Sequence, residues 1–178
     1  MNKIVLGGAV ILFILVSCHS KKVKKDDDIK NFYQSTVQWT DMLLKSDSTD
    51  CRLNSSTLKI IVYYDSIGCT PCDLRLLPRW QYMMAEMKTH RSYLDFIFIF
   101  NTPNKDEIST VFENYGFEIS FYCDNDGDFK KRNHLPDNRF YHTFLLDENN
   151  KVILCGSPTD HSKLWDVYKK TIFRKSDF

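Results

Sequence analysis

Cys69 and Cys72 are the residues of this chain best suited to chemistry, and they stand in the sequence Cys69-Thr70-Pro71-Cys72. They follow the apolar run 58–64, which is rich in β-branched residues and tyrosine, and they open a stretch with helical spacing. At the start of a helix, backbone N–H groups and the helix dipole favour the thiolate of Cys69. The i, i+3 spacing brings the two sulfurs close enough for a disulfide, and Pro71 suits a first helical turn because it has no N–H to leave unsatisfied. The pattern predicts a reversible dithiol–disulfide pair.

Three other interpretations of the motif compete with redox chemistry: a structural disulfide, half of a zinc site, or chance. A zinc knuckle needs a second Cys-x-x-Cys or a His-x-x-x-His, and the sequence contains neither. A Cys-x-x-Cys between a strand and a helix favours redox use over all three. We therefore expect neither a bound metal nor another cofactor.

The N-terminus has the pattern of an export signal. A short basic start, Met1-Asn2-Lys3, precedes the almost wholly apolar run 4–16, which is too short for a membrane span and has the length of a signal h-region. The run ends in Leu15-Val16-Ser17-Cys18, which looks like a bacterial lipobox with Cys18 as the lipidated residue. The alternative is an ordinary signal peptide cut near a chance cysteine. In both cases we expect export to an oxidising compartment, and lipidation would anchor the chain to a membrane, facing the periplasm or the cell surface.

Removing residues 1–17 leaves 178 − 17 = 161 residues, enough for one domain with a substantial core. The formal net charge is only +1, so the overall charge gives no indication of a nucleic-acid partner. Four lysines within 21–25 and three aspartates at 26–28 predict a solvated tether. We expect a monomer with a signal peptide at 1–17, a lipidated tether at 18–28, an N-terminal helix and loop at 29–54, and one main domain at 55–178.

The periodicity of the remaining sequence predicts alternating helices and strands. Helices are predicted at about 29–45, from the Cys-x-x-Cys motif to about 88, and at about 104–115, 126–134 and 160–173. Strands are predicted at 58–64, 93–100 and 119–123, and 143–146 pairs with 151–155 across the turn 147–150 as a hairpin. Strands that alternate with helices predict a three-layer α/β/α fold, with a mixed central sheet covered by helices on both faces.

Several of these elements have a predicted buried side. The first helix carries a stripe of Ile29, Phe32, Tyr33, Val37 and Leu44. The third strand turns Ile119, Phe121 and Cys123 inward, and the last helix buries Leu164, Val167, Tyr168 and Ile172. The remaining aromatic residues are predicted to form core: Phe96, Phe98, Phe100, Phe144, Trp80 and Trp165.

This order of elements around the Cys-x-x-Cys helix resembles the thioredoxin superfamily. It includes the inserted strand and helix typical of the membrane-tethered, extracytoplasmic branch related to TlpA and ResA. The segment 143–152, Thr-Phe-Leu-Leu-Asp-Glu-Asn-Asn-Lys-Val, is similar to that branch's strand–turn–strand ending. The resemblance covers about residues 55–173, and the chain is also similar to small lipoproteins of Bacteroidetes with a thioredoxin-like domain.

The resemblance implies a thiol–disulfide oxidoreductase that acts on protein thiols and disulfides. Cys69 would be the attacking thiolate that forms a mixed disulfide, and Cys72 would resolve it. The neighbours Thr70 and Pro71 do not indicate whether the protein reduces substrate disulfides or oxidises substrate thiols.

The sequence departs from the family's pattern at several positions. The proline that precedes the first strand of the hairpin in the family, usually cis and facing the Cys-x-x-Cys, is replaced by Tyr141 or His142, before Thr143. In the family this proline holds the substrate backbone beside the disulfide and keeps metals off the thiols. Gly68 stands where an aromatic residue is common, Tyr63 stands where a buried acid is common with Asp65 nearby, and Pro78 lies one position after the usual helix proline.

His142 has two interpretations. If it faces Cys69, it could lower the thiol pKa as an imidazolium, or join both cysteines as a metal ligand. The simpler expectation is a histidine at a strand end that faces solvent, as we expect for His90, His134 and His161. A binding module or a copper or zinc chaperone is accordingly the alternative to the enzyme. A peroxidase is a weaker alternative, because the sequence lacks the proline, threonine and cysteine constellation of peroxiredoxins.

Three further cysteines follow the predicted lipidation site. Cys123 and Cys155 are predicted at strand ends among apolar residues, where a buried thiol behaves as a small hydrophobe. Cys51 lies in a polar loop, where an odd cysteine of an exported protein often pairs or reacts.

Overall fold

The computed structural model describes residues 27–40, 53, 57–65, 75–88, 93–117, 119–159 and 161–176. The described chain contains a five-stranded sheet of β1 (Leu58–Tyr64), β2 (Leu94–Phe100), β3 (Phe121–Cys123), β4 (Thr143–Leu146) and β5 (Val152–Cys155). The strand order is β3-β2-β1-β4-β5. β1, β2 and β3 are parallel, whereas β4 is antiparallel to both β1 and β5. The sheet is therefore mixed, with its three parallel strands on one side.

The helices cover both faces of this sheet. They are α1 (27–32), α2 (Leu77–Glu86), α3 (Lys105–Asn114), α4 (Asp128–Arg132), α5 (Ser162–Ser176) and a short 3₁₀ helix (Arg139–His142). Alternate residues of β1 face opposite sides: Ile60 packs in a core with α2, α3 and α5, and Ile61 packs in a second core with α1 and α4. This arrangement confirms the predicted three-layer fold. No helix in the described ranges is long and apolar enough to span a membrane.

The strands predicted from apolar runs are confirmed within one or two residues. All seven residues of β1 are buried, and six of seven in β2, as expected for parallel strands covered on both faces. The predicted hairpin is also present. Its turn is held by Asp147, whose Oδ1 accepts hydrogen bonds from the N–H groups of Asn149 and Lys151, both at 2.9 Å.

The helix predicted at about 104–115 is confirmed as α3, and its two ends follow from local chemistry. The side chain of Asn104 caps the helix by accepting a hydrogen bond from the Glu107 N–H at 3.2 Å. At the other end the N–H of Gly116, which has a left-handed φ of +59°, donates to Glu113 O at 3.0 Å.

The helix predicted at about 29–45 is wrong over residues 33–40, because α1 ends at residue 32, and residues 41–45 lie outside the described residues. Gln34 has a φ of 72°, and its N–H donates to Val152 O at 2.9 Å. The N–H of Val37 donates to Asn150 O at 2.8 Å, so the chain pairs with the hairpin. The β-branched residues of this stretch form helices poorly, and the hairpin satisfies their backbone groups. Phe32 and Val37 are still buried, whereas Leu44 lies outside the described residues.

Two predicted buried faces are also partly wrong. In β3 the most buried residue is Tyr122, at 1% exposed, whereas Phe121 and Cys123 are half-buried. Tyr122 packs in the core on one face of the sheet and Phe121 packs against the core on the other face, so the strand has no single inward side. In α5 Trp165 is buried and Val167 is 44% exposed. The indole N–H of Trp165 donates to Glu86 Oε2 at 2.7 Å, so Trp165 faces α2. Val167 is two residues later, on nearly the opposite side of the helix, and therefore faces solvent.

Candidate active site

The predicted site residues Cys69, Thr70, Pro71 and Cys72 lie outside the described residues, as do Cys18 and Cys51. The structure describes both flanks of their segment. β1 ends at Tyr64, and Leu76 is the N-cap of α2.

A cavity of about 220 Å³ lies between these two flanks. Its walls come from the end of β1, the start of α2, the 3₁₀ helix with the start of β4, and the segment that follows β5. Tyr64 and Leu76, which lie on either side of the cysteine segment in the sequence, both line it. The carboxyl ends of parallel strands are the common place for binding sites in α/β folds.

His142 lies at this cavity and is buried, with 2% of its surface exposed. The expectation that it faces solvent is therefore wrong: the 3₁₀ helix turns it inward immediately before β4. Its Nε2 lies 2.8 Å from Pro136 O, and since a carbonyl only accepts, Nε2 carries the hydrogen. The ring packs edge-on against Tyr63, with centroids 5.6 Å apart. Nδ1 then presents a lone pair, and no hydrogen bond to it is found within the described chain.

Burial lowers the pKa of His142 below its ordinary 6.5, and this effect outweighs the hydrogen bond to Pro136, which raises the pKa. Lys130 and Arg139 lower the pKa further, and Asp65 raises it. The neutral imidazole is thus the form that the site favours at neutral pH. The described surroundings accordingly disfavour the imidazolium interpretation.

We expect His142 to make the stability of the fold depend on pH. Because its pKa is lowered on folding, the unfolded chain takes up a proton near pH 6.5 while the folded chain does not. Stability should therefore fall as the pH drops below about 6.5, by at most about 1.4 kcal/mol per pH unit from this group, and level off below the folded-state pKa. Urea unfolding between pH 7.5 and 5 should show this loss in the wild type and not in His142→Phe. His134→Asn, at an exposed position, should keep the wild-type slope, and equal slopes in all three proteins would refute the assignment.

The two other predicted neighbours occupy different positions. Thr143 is 5% exposed and lines the cavity as the first residue of β4. Tyr141 is half-buried and does not line the cavity, and its ring packs edge-on against Phe140 at 5.0 Å. The structure thus brings His142 and Thr143 to the cavity and leaves Tyr141 beside it.

Comparison with known proteins identifies the fold. No family model and no curated protein matches the sequence. The thioredoxin domain of a thiol-disulfide oxidoreductase from Bacteroides vulgatus superposes with a TM-score of 0.58 at 12% identity, covering 79% of this chain and 97% of that one. A thiol:disulfide interchange protein from Bacteroides sp. gives 0.58 at 14% identity, covering 79% and 90%. The putative thiol:disulfide interchange protein DsbE from Chlorobium tepidum gives 0.50 at 16%, covering 69% and 82%. The chain has a thioredoxin-like fold.

Of the two residues predicted to stand in place of the family's proline, His142 is the one directly before β4. The alternative position, Tyr141, lies one residue earlier. A histidine there differs from a proline because it adds a backbone N–H and a titratable ring that can bond to neighbours.

Acidic residues lie where two of the parallel strands end; Asp65 was named from the sequence, whereas Asp124 was missed. Asp65 follows β1, is 5% exposed, and pairs with Lys130 Nζ at 2.5 Å. Asp124 follows β3 and accepts hydrogen bonds from the Tyr63 hydroxyl at 3.0 Å and from the Phe129 N–H at 3.2 Å. Burial, and then the Asp124 charge, raise the pKa of Tyr63 well above its ordinary value. A polar residue directly after each parallel strand could have indicated this cluster, because the carboxyl ends of parallel strands lie at one edge of the sheet.

Two hydroxyl groups complete the described cavity wall after β5. Ser157 Oγ and Thr159 Oγ1 are 2.7 Å apart, and both residues are buried. The Arg79 guanidinium donates to Thr159 O and ties this segment to α2. Neither hydroxyl carried a recognisable motif in the sequence.

The described cysteines differ from the predicted pair. Cys123 and Cys155 end β3 and β5 as predicted and are half-buried free thiols. Burial raises the pKa of both, so neither favours the thiolate. No group of three metal-ligating side chains occurs within the described ranges, which exclude Cys69 and Cys72.

Proposed function

We propose that this protein is a thiol–disulfide oxidoreductase that acts on protein thiols and disulfides, with Cys69 as the attacking and Cys72 as the resolving residue. The observation that supports the proposal is that Tyr64 and Leu76, described residues on either side of the Cys-x-x-Cys segment in the sequence, line one cavity at the carboxyl end of β1. The three similar structures, each described as a thiol–disulfide oxidoreductase or interchange protein, support the same chemistry.

The reaction needs no group beyond the two thiols and the substrate. The Cys69 thiolate attacks one sulfur of a substrate disulfide, which forms a mixed disulfide and releases the other substrate sulfur as a thiolate. The Cys72 thiolate then attacks the Cys69 sulfur, which releases the second substrate thiolate and leaves a Cys69–Cys72 disulfide. Two electrons pass to the substrate, and its thiolates take up two protons. The reverse sequence oxidises a substrate dithiol.

The equilibrium potential of the cysteine pair tests the proposal. The protein is equilibrated in glutathione buffers of graded ratio, and the Cys69–Cys72 peptide is quantified by mass spectrometry. A working pair should have a potential above about −300 mV, whereas a structural bridge should lie well below it. A matched Cys123→Ser, Cys155→Ser double variant should titrate alike, because those thiols lie outside the pair. A bridge that resists reduction would favour the binding-module alternative.

We also propose that the mature chain is anchored outside the cytoplasm by lipid on Cys18. The support is the sequence Leu15-Val16-Ser17-Cys18 at the end of an apolar run. Mass spectrometry of the membrane fraction should find a diacylated or triacylated N-terminal Cys18, and Cys18→Ala should abolish this species. A soluble mature form that is cut elsewhere and is unaffected by Cys18→Ala would contradict the proposal.

A further inference from the structure

A second cavity, a surface groove of about 610 Å³, lies between α2 and α5, and we call it the α2–α5 groove. One wall is a single face of α2 with Arg79, Tyr82 and Met83, which have i, i+3 and i+4 spacing. The other wall is the segment after β5 and the first turn of α5, with Thr159 and Trp165. Tyr82 is 69% exposed, whereas Met83 and Trp165 are buried, so the groove has an apolar base and an aromatic rim. Its volume is typical of sites that hold ligands.

Two hydrogen bonds join the walls of the α2–α5 groove. Near the start of α2, the Arg79 guanidinium donates to Thr159 O. At the last residue of α2, Glu86 Oε2 accepts from the indole N–H of Trp165 at 2.7 Å. Because the two bonds lie near opposite ends of α2, they fix the separation of the walls between them. The groove is therefore formed before any ligand enters.

The described lining of the α2–α5 groove has the composition of a protein interface. Tyr, Trp, Met and Arg are enriched at interfaces and all occur here, whereas Lys, Glu and Asp are depleted there and are absent from the described lining. Arg79 gives one of its five N–H groups to Thr159 O, and no carboxylate of the described chain forms an ion pair with it. The Glu86 carboxylate is instead held by Trp165 and Lys169. The groove thus combines apolar surface with a cation that can take an anionic group.

We propose that the α2–α5 groove binds a segment of a partner protein that carries a bulky apolar side chain with a carboxylate within two residues of it. The apolar side chain lies over Met83 and Trp165, and the carboxylate accepts hydrogen bonds from the remaining N–H groups of Arg79. A protein segment suits the exposed Tyr82, because an occupant that continues past the groove also covers this ring, which a small ligand would leave in water. No part of this binding uses Cys69 or Cys72, so the inference goes beyond the proposed thiol chemistry.

Capped peptides without cysteine test the groove on the wild-type protein. They contain Leu and Glu one or two positions apart, and matched control peptides replace Glu with Gln or Leu with Ser. Each peptide is titrated into ¹⁵N-tryptophan-labelled protein, and the indole signal of Trp165, identified by its loss in Trp165→Phe, reports binding. We expect the peptide with Leu and Glu to bind about fivefold more tightly than either control. Equal affinity for the Glu and Gln peptides would overturn the inference.

Two arginine variants and one small acid complete the test. In Arg79→Gln the preference for Glu over Gln should vanish, whereas Arg174→Gln, a change at an exposed arginine of α5 outside the groove, should keep it. 4-Methylpentanoate carries the leucine side chain and a carboxylate without a peptide chain, and it should bind more weakly than the peptide. If it binds as tightly, the groove takes a small organic acid and the assignment of a protein segment is wrong. Because the peptides contain no cysteine, none of these outcomes depends on thiol exchange.

Discussion

Substituting Cys69 with serine should lower the rate at which the reduced protein cleaves disulfides by at least about a thousandfold, since a hydroxyl remains protonated and is a poor nucleophile. Cys72→Ser should behave differently. Its Cys69 can still attack, but nothing resolves the product, so mixed disulfides with client proteins should accumulate. Non-reducing gels of both variants after exposure to envelope extract would show adducts in Cys72→Ser alone.

Alkylation against pH identifies the thiol responsible. We expect Cys69 of the reduced protein to react at a pH well below that needed for an unperturbed cysteine, because the sequence predicts it at a helix start, which would favour the thiolate. Cys123 and Cys155 are internal controls that should react only at higher pH, since burial raises the pKa of both. If Cys69 is alkylated over the same pH range as Cys123 and Cys155, and Cys72→Ser traps no mixed disulfide, the proposed enzyme function is wrong. The alternative of a thioredoxin-like binding module would then be favoured.

The central strands could be predicted from the sequence because one local signal sufficed. The apolar run 96–100 is short and consists of β-branched and aromatic residues, which favours a strand buried on both faces, and the hairpin turn at Asp147 contains its own hydrogen-bond acceptor. Both signals lie within a few residues of what they predict. Chain order then led to the thioredoxin-like fold.

The segment 33–40 could not be predicted in the same way, because its partner is remote in sequence. Phe32 and Val37 fit a helical stripe, but they are buried by a chain that pairs with residues 150–152 of the hairpin. Periodicity records only which residues are buried. The backbone hydrogen bonds that decide between a helix and a paired strand join this segment to residues more than 100 positions later in the sequence.

The candidate site was predictable in its chemistry and not in its surroundings. Residue type and spacing indicate Cys69 and Cys72, but the burial of His142 depends on a four-residue 3₁₀ helix with Asn138 as its N-cap. The side chain of Asn138 accepts a hydrogen bond from the Phe140 N–H at 3.1 Å, and this turn directs His142 inward. A turn of this length carries no periodic pattern, so a solvent-facing strand end was the simpler expectation.

Gly156 should be among the least replaceable residues of the described chain, because it combines an unusual backbone with close neighbours. Its φ is +127°, a conformation that side chains rarely adopt. An added Cβ would lie 2.8 Å from Phe140 Cε1 and 3.0 Å from Leu164 Cδ2. The position is also fixed by two hydrogen bonds, from its N–H to Thr143 O at 2.8 Å and from the buried Tyr168 hydroxyl to its own carbonyl at 2.9 Å.

Gly156→Ala should therefore lower the free energy of unfolding by about 3 kcal/mol, combining backbone strain with overpacking. Gly116→Ala is the matched control: its φ is also positive, +59°, but an added Cβ meets nothing within 4 Å, so only the backbone cost of about 1 kcal/mol should remain. Urea unfolding of both variants and the wild type in one redox state measures the difference. Equal losses in the two variants would mean that the Phe140 ring moves aside at little cost. Because Phe140 lines the cavity, that outcome would also mean that this part of the cavity wall gives way.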